Sequence, residues 1–583
     1  MATDTHTAAR RPSLLSLGVV LAVLLGSVLS VLLTGFLPFA NDNIYHWPIL
    51  TAAFDLPQFA HDSYIQSLRY FSSGFWLIFT GVSRYVGVEA FLAFWFVVTR
   101  LLMFAAFVHL AISLGYRGTR FFVIYGILLA LSVLMTGAAV GGGGLNISYF
   151  EHSELANVTL VLGFSYAIRR NYFVSFLFCG VTAFLNAFFA VWMIVPILAL
   201  AYSHLRSGEV RLKTLIGAAP LAVVCTLPLT IPVVLNLFAA HAGGEAMPVS
   251  YRTYAADFFP FHFFITGLSV TDVAQLLVIL AIGLVAAALA KGSDSLFALF
   301  AGAVLVLGVG AILPFLTDIR ILLNLVLIRS AVMIYFVAAA ASSAVVAEAL
   351  AGDSRSPKFG WGGLAFAGLV AGKIVLPLAL VALAAMAAIG HSLRLPGSAS
   401  AGPWIRYAGL ACIVAGLLVA IPLRIVPTIV STQNMLAQTD KWAAAGDWVA
   451  ANTAPDASFI VPIDSLYPSA SDATPFRARM QQLSQGLLAF GFHAQRVVWA
   501  DAKYGAAVMW TPSYYEEWKS RTQAVKDLGS TDAQIQYARS NGVPYVAGAC
   551  DATSATAAYQ VSDVCIYGPL HAAAAVGNVK PQS

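Results

Sequence analysis

The first candidate for chemistry is a carboxylate at the edge of a long apolar run. Residues 14–39 carry no ionisable side chain, and Asp42 follows them within a polar segment that begins at Asn41. Since about 20 apolar residues cross the hydrocarbon core of a bilayer, we expect Asp42 where water and lipid head groups meet. A carboxylate there can accept a proton from a reaction on a lipid-borne substrate. The alternative is an aspartate in a solvated loop.

More candidates follow in the same polar loop. Transfer of a group from a lipid phosphate requires a base that activates the acceptor hydroxyl or amine. The pattern predicts Asp42 and Asp62 as catalytic residues, with His46 and His61 as substrate or phosphate contacts. Asp55 is interpreted as a turn residue. The alternative for both catalytic candidates is helix capping, in which the carboxylate accepts backbone N–H bonds.

A second acidic segment, Glu151, His152 and Glu154, comes after the glycine run 141–144. Two carboxylates and an imidazole within four residues can bind a divalent cation, Mg²⁺ or Mn²⁺, which would neutralise a pyrophosphate leaving group. The glycine run is interpreted as flexible. Acidic residues in the first turn of a helix also stabilise its N-terminus, and that alternative explains the segment equally well.

Four cationic residues lie within or beside apolar segments. Arg320 and Arg329 are predicted at the start and in the interior of one span, and Arg100 and Lys373 lie deep in others. Charges inside a membrane are costly and usually face the interior of the helix bundle. Because a guanidinium group forms paired hydrogen bonds with phosphate, Arg320 and Arg329 are predicted to bind the phosphate. The alternative for Arg320 is to anchor a helix end at the head groups.

The composition places these residues in a polytopic membrane protein. Of the 583 residues 59% are hydrophobic and only 10% are charged, against about 25% charged in soluble domains. The net charge is +5, without a basic stretch interleaved with aromatic residues, so nucleic acid is excluded as a partner.

The loop charges orient the spans. Arg10 and Arg11 predict an internal N-terminus, which makes the loop 41–87 external. A stretch of 31 residues between two basic flanks predicts a hairpin of two short helices that turns near Asn186. We expect about 11–13 spans in residues 1–430. A count of roughly twelve would leave the C-terminus inside. One hidden crossing in the interrupted segment 361–389 would put it outside.

From residue 431 the composition becomes that of a soluble domain. Strands are predicted at 458–462, 496–500 and 543–547, with helices at 440–452, 512–528 and 531–541. This alternation indicates a small α/β domain with partly parallel pairing, which we expect in the periplasm. Cys550 and Cys565 could form a disulfide or remain free thiols. The aromatic and charged residues of 496–504 are a sugar or peptide platform or, as we favour, ordinary packing.

This plan resembles the GT-C superfamily of membrane glycosyltransferases. The resemblance rests on the acid in the first loop at Asn41, Asp42 and Asn43, on the second acidic segment from Glu151 to Glu154, on the many apolar spans and on the C-terminal α/β domain. The chain is also similar to an uncharacterised group of bacterial membrane proteins, through residues 46–48, the segment around Asp62 and residues 496–503. It lacks a clear DxD and a WWDYG-type motif, which argues against transfer to protein asparagine.

The resemblance implies an enzyme of the bacterial inner membrane that takes a sugar from a polyprenyl phosphate. Asp42 would be the base and an arginine would hold the phosphate, while the acceptor would be a glycan, a lipid or a cell-envelope polymer. Two rival hypotheses remain. One is a lipid or solute transporter or flippase, with the hairpin near Asn186 lining the path. The other is a noncatalytic scaffold of an envelope complex.

Overall fold

The computed structural model describes residues 16–242, 247–392, 404–463 and 474–570. The chain divides into two compact units. We call the first the helical unit; it comprises Met1–Phe36, Ala93–Val233 and Phe259–Val430. The second, the mixed unit, comprises Leu37–Leu92, Val234–Phe258 and Ser431–Ser583. The predicted boundary at 430/431 coincides with a unit boundary, but the first loop belongs with the C-terminal domain rather than with the helix bundle.

Helices dominate the described residues. In chain order they are α1 (Leu17–Thr34), α2 (Asn43–Leu50), α3 (Ser63–Ser67), α4 (Gly74–Phe79), α5 (Val88–Ser113), α6 (Thr119–Leu131), α7 (His152–Ile168), α8 (Tyr172–Leu185), α9 (Ala187–Arg206), α10 (Leu212–Ala242), α11 (Tyr251–Phe258), α12 (Pro260–Phe263), α13 (Val270–Leu289), α14 (Ser293–Leu316), α15 (Arg320–Leu323), α16 (Ala331–Ala351), α17 (Pro357–Val370), α18 (Leu376–Ser392), α19 (Trp404–Ala420), α20 (Val426–Asn452), α21 (Pro475–Leu483), α22 (Leu488–Ala494), α23 (Tyr514–Lys526) and α24 (Thr531–Ser540).

Eight helical segments of the described residues are long and apolar enough to cross a membrane. They are Leu17–Thr34, Val88–Ser113, Ala187–Arg206, Leu212–Ala239, Val270–Leu289, Ser293–Leu316, Arg320–Ala351 and Trp404–Asn452. Three shorter apolar helices accompany them, at Thr119–Leu131, Tyr172–Leu185 and Lys373–Ala388. This confirms a helical protein of the multi-pass membrane type, because helices satisfy their backbone groups within the span. The finer count of 11–13 crossings stays a prediction.

The centre of the helical unit is α16, whose side chains are buried almost throughout. Its run of alanines lets neighbouring helices approach closely, as small residues do in membrane bundles. On α13, for example, a methyl group added at Gly283 would lie 3.3 Å from the Cβ atom of Ala338.

Two interruptions shape the helical unit. The predicted hairpin is present, since α8 ends at Leu185 and α9 begins at Ala187, and Asn186 between them accepts a hydrogen bond from the backbone N–H of Phe188 at 3.2 Å. The segment 361–389, predicted as one span, instead contains most of α17 and most of α18, which pack against each other. The break falls at Gly372, whose φ of +147° is accessible to glycine.

The mixed unit contains a five-stranded sheet of order β2-β1-β3-β5-β4. Its strands are β1 (Ser458–Ile460), β2 (Val497–Val498), β3 (Tyr545–Ala549), β4 (Ala557–Val561) and β5 (Val564–Tyr567). β1 pairs in parallel with β2 and β3, while β5 is antiparallel to both β3 and β4. The partly parallel α/β domain is therefore as predicted, and the β4–β5 hairpin is an addition.

Candidate functional site

Asp42 forms an ion pair with a lysine of the C-terminal domain. The Nζ atom of Lys503 lies 2.8 Å from Oδ1 of Asp42, and it also donates to the side-chain oxygen of Asn41. The side chain of Asp42 is 28% exposed and that of Lys503 is 17% exposed. The pair is thus partly desolvated but still accessible, which strengthens its electrostatic interaction with an approaching ligand.

Local hydrogen bonds position Lys503. It lies in the short 3-10 helix Ala502–Met509, and the carboxylate of Asp501 caps that helix by accepting from the backbone N–H of Lys503 at 2.7 Å. The hydroxyl of Tyr45 donates to the backbone carbonyl of Lys503 at 3.1 Å. Asn41 adopts a left-handed conformation with a φ of +50°, which asparagine tolerates better than most residues. These contacts fix the backbone on both sides of the ion pair.

The two predicted catalytic aspartates differ in their local role. Asp62 is the N-cap of α3 and accepts from the backbone N–H of Ile65 at 2.8 Å, as in the capping alternative. Asp42 stands before α2 without a side-chain capping bond. Its carboxylate is directed to Lys503 instead, so helix capping does not account for Asp42.

The electrostatic surroundings of Asp62 are unusual for a surface aspartate. Burial raises the pKa of Asp62 to about 6, against the lowering effect of the bond from Ile65, and the nearby carboxylate of Glu517 raises it further. Glu517 in turn pairs with Arg521 at 2.7 Å and accepts from the hydroxyl of Ser63 at 3.2 Å. A pKa of about 6 lies within the range useful for general acid–base chemistry.

Aromatic rings support this part of the mixed unit. Tyr64 stacks on Tyr504, with ring centroids 3.6 Å apart. His46 stacks on Trp76 at 4.1 Å, and its Nδ1 atom hydrogen-bonds the side-chain oxygen of Asn43 at 2.8 Å. His46 is buried in this arrangement, where it packs the first loop. Its predicted contact with a phosphate stays a prediction.

His61 differs from His46 in exposure. It lies on the surface, directly before the capping residue Asp62. An exposed imidazole at this turn is accessible to a ligand, so its predicted role also stays a prediction.

No protein-family model matches this chain, and a search of curated proteins found no relative. The chemistry has to be inferred from the side chains themselves.

The second acidic segment lies in the helical unit and is built around a buried ion pair. Glu154 on α7 is 2.7 Å from Nη1 of Arg100 on α5, and each side chain is only 1% exposed. Arg100 also donates to the side-chain oxygen of Asn146 at 2.8 Å and to the backbone carbonyl of Ile147. Glu154 is therefore the charge partner that a buried arginine requires.

Glu151 belongs to a separate chain of hydrogen bonds. Its carboxylate accepts from the hydroxyl of Ser153 at 2.7 Å, and Ser153 accepts from the side-chain amide of Asn186 at 3.1 Å. The helix break at Asn186 thus lies beside the acidic segment. Among the described residues no group of three His, Cys, Asp or Glu side chains converges on one point. The divalent cation at Glu151, His152 and Glu154 stays a prediction.

The glycine run forms an ordered tight loop rather than a flexible one. Gly141 and Gly142 have φ values of +82° and +85°, and Ala138 pairs with Gly144 in an isolated β-bridge. His262 contributes a hydrogen bond of 2.6 Å between its Nδ1 atom and the backbone carbonyl of Gly141. A methyl group at position 142 would overlap the ring of His262. Glycine is needed there for both conformation and close approach.

The two arginines predicted to bind phosphate belong to the helical unit, whereas Asp42 belongs to the mixed unit. Arg320 begins the short helix α15. Arg329 lies inside the apolar segment Arg320–Ala351, as predicted, within the 3-10 turn Leu327–Ser330 that precedes α16. Val326, with a φ of +46°, breaks the helix between the two arginines.

Lys503 is the functional candidate that sequence reasoning missed as a partner of Asp42. The mixture of charged and aromatic residues in the segment 496–504 is compatible with a binding site, but it is more typical of ordinary packing. The sequence signal for this role is Asp501, two residues before Lys503. That spacing fits a turn in which the aspartate caps the backbone and the lysine side chain is free to pair with an acid.

Proposed function

We propose that this protein is a membrane glycosyltransferase that moves a sugar from a polyprenyl phosphate to a glycan, lipid or cell-envelope acceptor at the outer face of the inner membrane. The observation that carries the proposal is the partly exposed pair of Asp42 and Lys503, which places a proton acceptor and a cation together a few residues after α1.

In the proposed reaction, the acceptor hydroxyl attacks the anomeric carbon of the sugar. The new glycosidic bond forms while the bond from that carbon to the phosphate oxygen breaks, and polyprenyl phosphate leaves with the bonding electrons. The carboxylate of Asp42 takes the proton of the hydroxyl. The ammonium group of Lys503 stabilises the charge that develops on the leaving phosphate. A lipid-linked donor carries its own leaving group, so no nucleotide site is required.

The position of the site at the outer face is part of the proposal. The first loop, the segment before α12 and the C-terminal domain all belong to the mixed unit, which favours one side of the membrane for all three. Besides the ion pair of Asp42, the hydroxyl of Tyr254 donates to the backbone carbonyl of Gly505 at 2.9 Å. With the N-terminus inside, as its arginines predict, that side is outside. The proposal assigns one crossing each to α17 and α18, the two helices into which 361–389 divides, and this gives the additional crossing.

The Cys550–Cys565 disulfide also supports a position of the C-terminal domain on the outer side of the membrane. Disulfides persist in oxidising compartments such as the periplasm and are rare in the cytosol. The bond resolves the alternative that the sequence left open between a disulfide and two free thiols. It also agrees with the predicted periplasmic domain.

The test uses purified full-length protein in lipid nanodiscs. A panel of polyprenyl-phosphate monosaccharides is offered together with cell-envelope glycans, and release of polyprenyl phosphate is followed by mass spectrometry. We expect release by the wild type and a loss on the order of 10²–10⁴-fold in Asp42→Asn. Lys503→Gln should also be strongly impaired.

The matched control is Lys519→Gln. Lys519 forms an ion pair of 2.7 Å with Asp257 in the same unit but is not placed in the site. It should keep wild-type turnover. Turnover of Asp42→Asn at the wild-type rate, or no release by the wild type from any donor of the panel, would contradict the proposal.

A transporter or flippase is the second candidate. It is favoured by the break at Asn186, whose side chain contacts Ser153 beside the buried pair of Arg100 and Glu154. Interrupted helices with polar residues near the membrane midplane are typical of transporters. Flux of a fluorescent polyprenyl phosphate across proteoliposomes, unchanged in Asp42→Asn but lost in Glu154→Gln, would support this function instead.

A further inference from the structure

The first loop contains a small apolar cleft. It has a volume of about 180 Å³ and lies entirely within residues 49–80 of the mixed unit. Phe54, Leu68, Phe71, Trp76 and Leu77 form most of its wall. Such a lining offers few hydrogen bonds to a sugar, and it fits a hydrocarbon chain.

Arg69 stands at the rim of this cleft in a fixed orientation. Its guanidinium group donates to the backbone carbonyl of Phe54 at 2.6 Å and to the side-chain oxygen of Gln66 at 3.1 Å, and it lies 4.7 Å from the centre of the Phe54 ring. It forms an ion pair of 2.9 Å with Asp55, in which the two side chains are 44% and 51% exposed. A cation that lines the cleft thus stands beside an anion.

The chain segment that ends the cleft carries exposed apolar side chains and leads into a membrane-spanning helix. Leu77, Ile78, Tyr85 and Val86 are large exposed side chains, and α5 begins at Val88. Exposed apolar side chains that continue into a membrane-spanning helix are suited to the interface between head groups and acyl chains. This continuity points to a bilayer lipid as the occupant.

We infer that the cleft binds a short stretch of one acyl chain of a zwitterionic glycerophospholipid, with the head group over Arg69 and Asp55. Arg69 would receive the phosphate, because a guanidinium group pairs well with phosphate oxygens. Asp55 would receive the amine of the same head group. A purely anionic lipid would leave its charge beside the carboxylate of Asp55, which disfavours it. This lipid site is independent of the proposed glycosyl transfer.

The experiment measures lipid retention by native mass spectrometry. The full chain is released from nanodiscs that contain phosphatidylethanolamine and phosphatidylglycerol in equal amounts, with polyprenyl phosphate added. We expect one tightly bound phosphatidylethanolamine in the wild type, and a loss of retention on the order of tenfold in Arg69→Gln. Thr80→Trp, which fills the cleft from its edge, should have a similar effect, whereas Thr80→Ser should not.

Arg479→Gln is the matched control for charge. Arg479 forms a comparable exposed pair with Asp551 at 2.6 Å, with exposures of 43% and 37%, but lies outside the cleft. It should retain the lipid as the wild type does. Equal retention in Arg69→Gln and Arg479→Gln together with equal retention in Thr80→Trp would overturn the inference. Preferential retention of phosphatidylglycerol or polyprenyl phosphate would overturn the assignment of a zwitterionic lipid.

Discussion

The ammonium group of Lys503 lies 2.8 Å from the carboxylate of Asp42, although 461 positions separate the two residues in the chain. This pair joins the first loop to the C-terminal domain within one compact unit. The domain thus contributes a charge directly beside the carboxylate that the sequence singles out as a base.

A charge swap distinguishes a catalytic pair from a structural one. Asp42→Lys combined with Lys503→Asp preserves an ion pair, so the double variant should unfold at close to the wild-type temperature. Release of polyprenyl phosphate should remain at least about 10²-fold reduced, since the proton acceptor and the cation have exchanged places. Wild-type turnover in the swapped protein would show that the pair acts only through stability.

Removal of the buried carboxylate in the helical unit should be costly. Glu154→Gln leaves the charge of Arg100 buried without its ion-pair partner, and we expect a loss of about 3–5 kcal/mol in the free energy of unfolding. The measurement is denaturant unfolding in detergent micelles. Glu348→Gln is the control, because Glu348 pairs with Lys291 at 2.7 Å while both side chains are nearly half exposed. Glu348→Gln should lower the free energy of unfolding by only about 0–1 kcal/mol.

Stability should depend on pH through Asp62. The folded protein raises the pKa of Asp62 from 3.8 to about 6, mainly by burial. The folded state therefore holds this proton more tightly than the unfolded state, and the contribution to stability falls as the pH rises from about 4 to about 6. Asp62→Asn keeps the capping oxygen without the charge. It should remove this dependence and stabilise the protein at pH 7 by at most about 3 kcal/mol.

Asp532 is a useful comparison for this experiment, because folding lowers its pKa whereas it raises the pKa of Asp62. Hydrogen bonds from Ser554 and Thr553 lower the pKa of Asp532 to about 2. The ionised carboxylate of Asp532 therefore stabilises the folded protein above pH 4, and this stabilisation is lost as the pH falls towards 2. Asp532→Asn should consequently lower the unfolding temperature by the same amount throughout pH 4 to 6 and leave its pH dependence in that range unchanged. An unchanged pH profile in Asp62→Asn would contradict the raised pKa of Asp62.

The glycine loop should tolerate alanine at one position and not at another. Gly142→Ala introduces a methyl group into the ring of His262 at a φ of +85°, so we expect a loss of about 1–2 kcal/mol from the backbone alone and more from the overlap. At Gly144 the nearest side-chain atom would be 3.5 Å away, in ordinary contact. Unfolding of Gly144→Ala should stay close to that of the wild type, and equal losses in both variants would argue against this loop conformation.

The side of the membrane on which the C-terminal domain lies can be tested directly. A phosphatase reporter fused after Ser583 should be active, because that enzyme folds only in an oxidising compartment. Cys550 and Cys565 should resist alkylation until a reductant is added, and their replacement by serine should cost about 3 kcal/mol for a loop of this size. An inactive reporter with freely alkylated Cys550 and Cys565 would place the domain in the cytoplasm.

Several features could be predicted from local pattern. The apolar runs predicted a multi-pass membrane protein, and the basic flanks around 172–202 predicted the hairpin at Asn186, because span length and loop charge are properties of neighbouring residues. The alternation of strands and helices predicted the α/β domain. The β4–β5 hairpin was not predicted, since these short strands carry a weak periodic signal.

The class of protein and the position of a carboxylate after the first apolar run follow from the amino-acid sequence alone. The long-range partners depended on the folded chain: Asp42 pairs with Lys503, and Glu154 pairs with Arg100. Hydropathy and capping follow from residues a few positions apart, whereas an ion pair depends on which distant surfaces are buried together. For that reason the same residue type, aspartate, became a charge partner at position 42 and a helix cap at position 62.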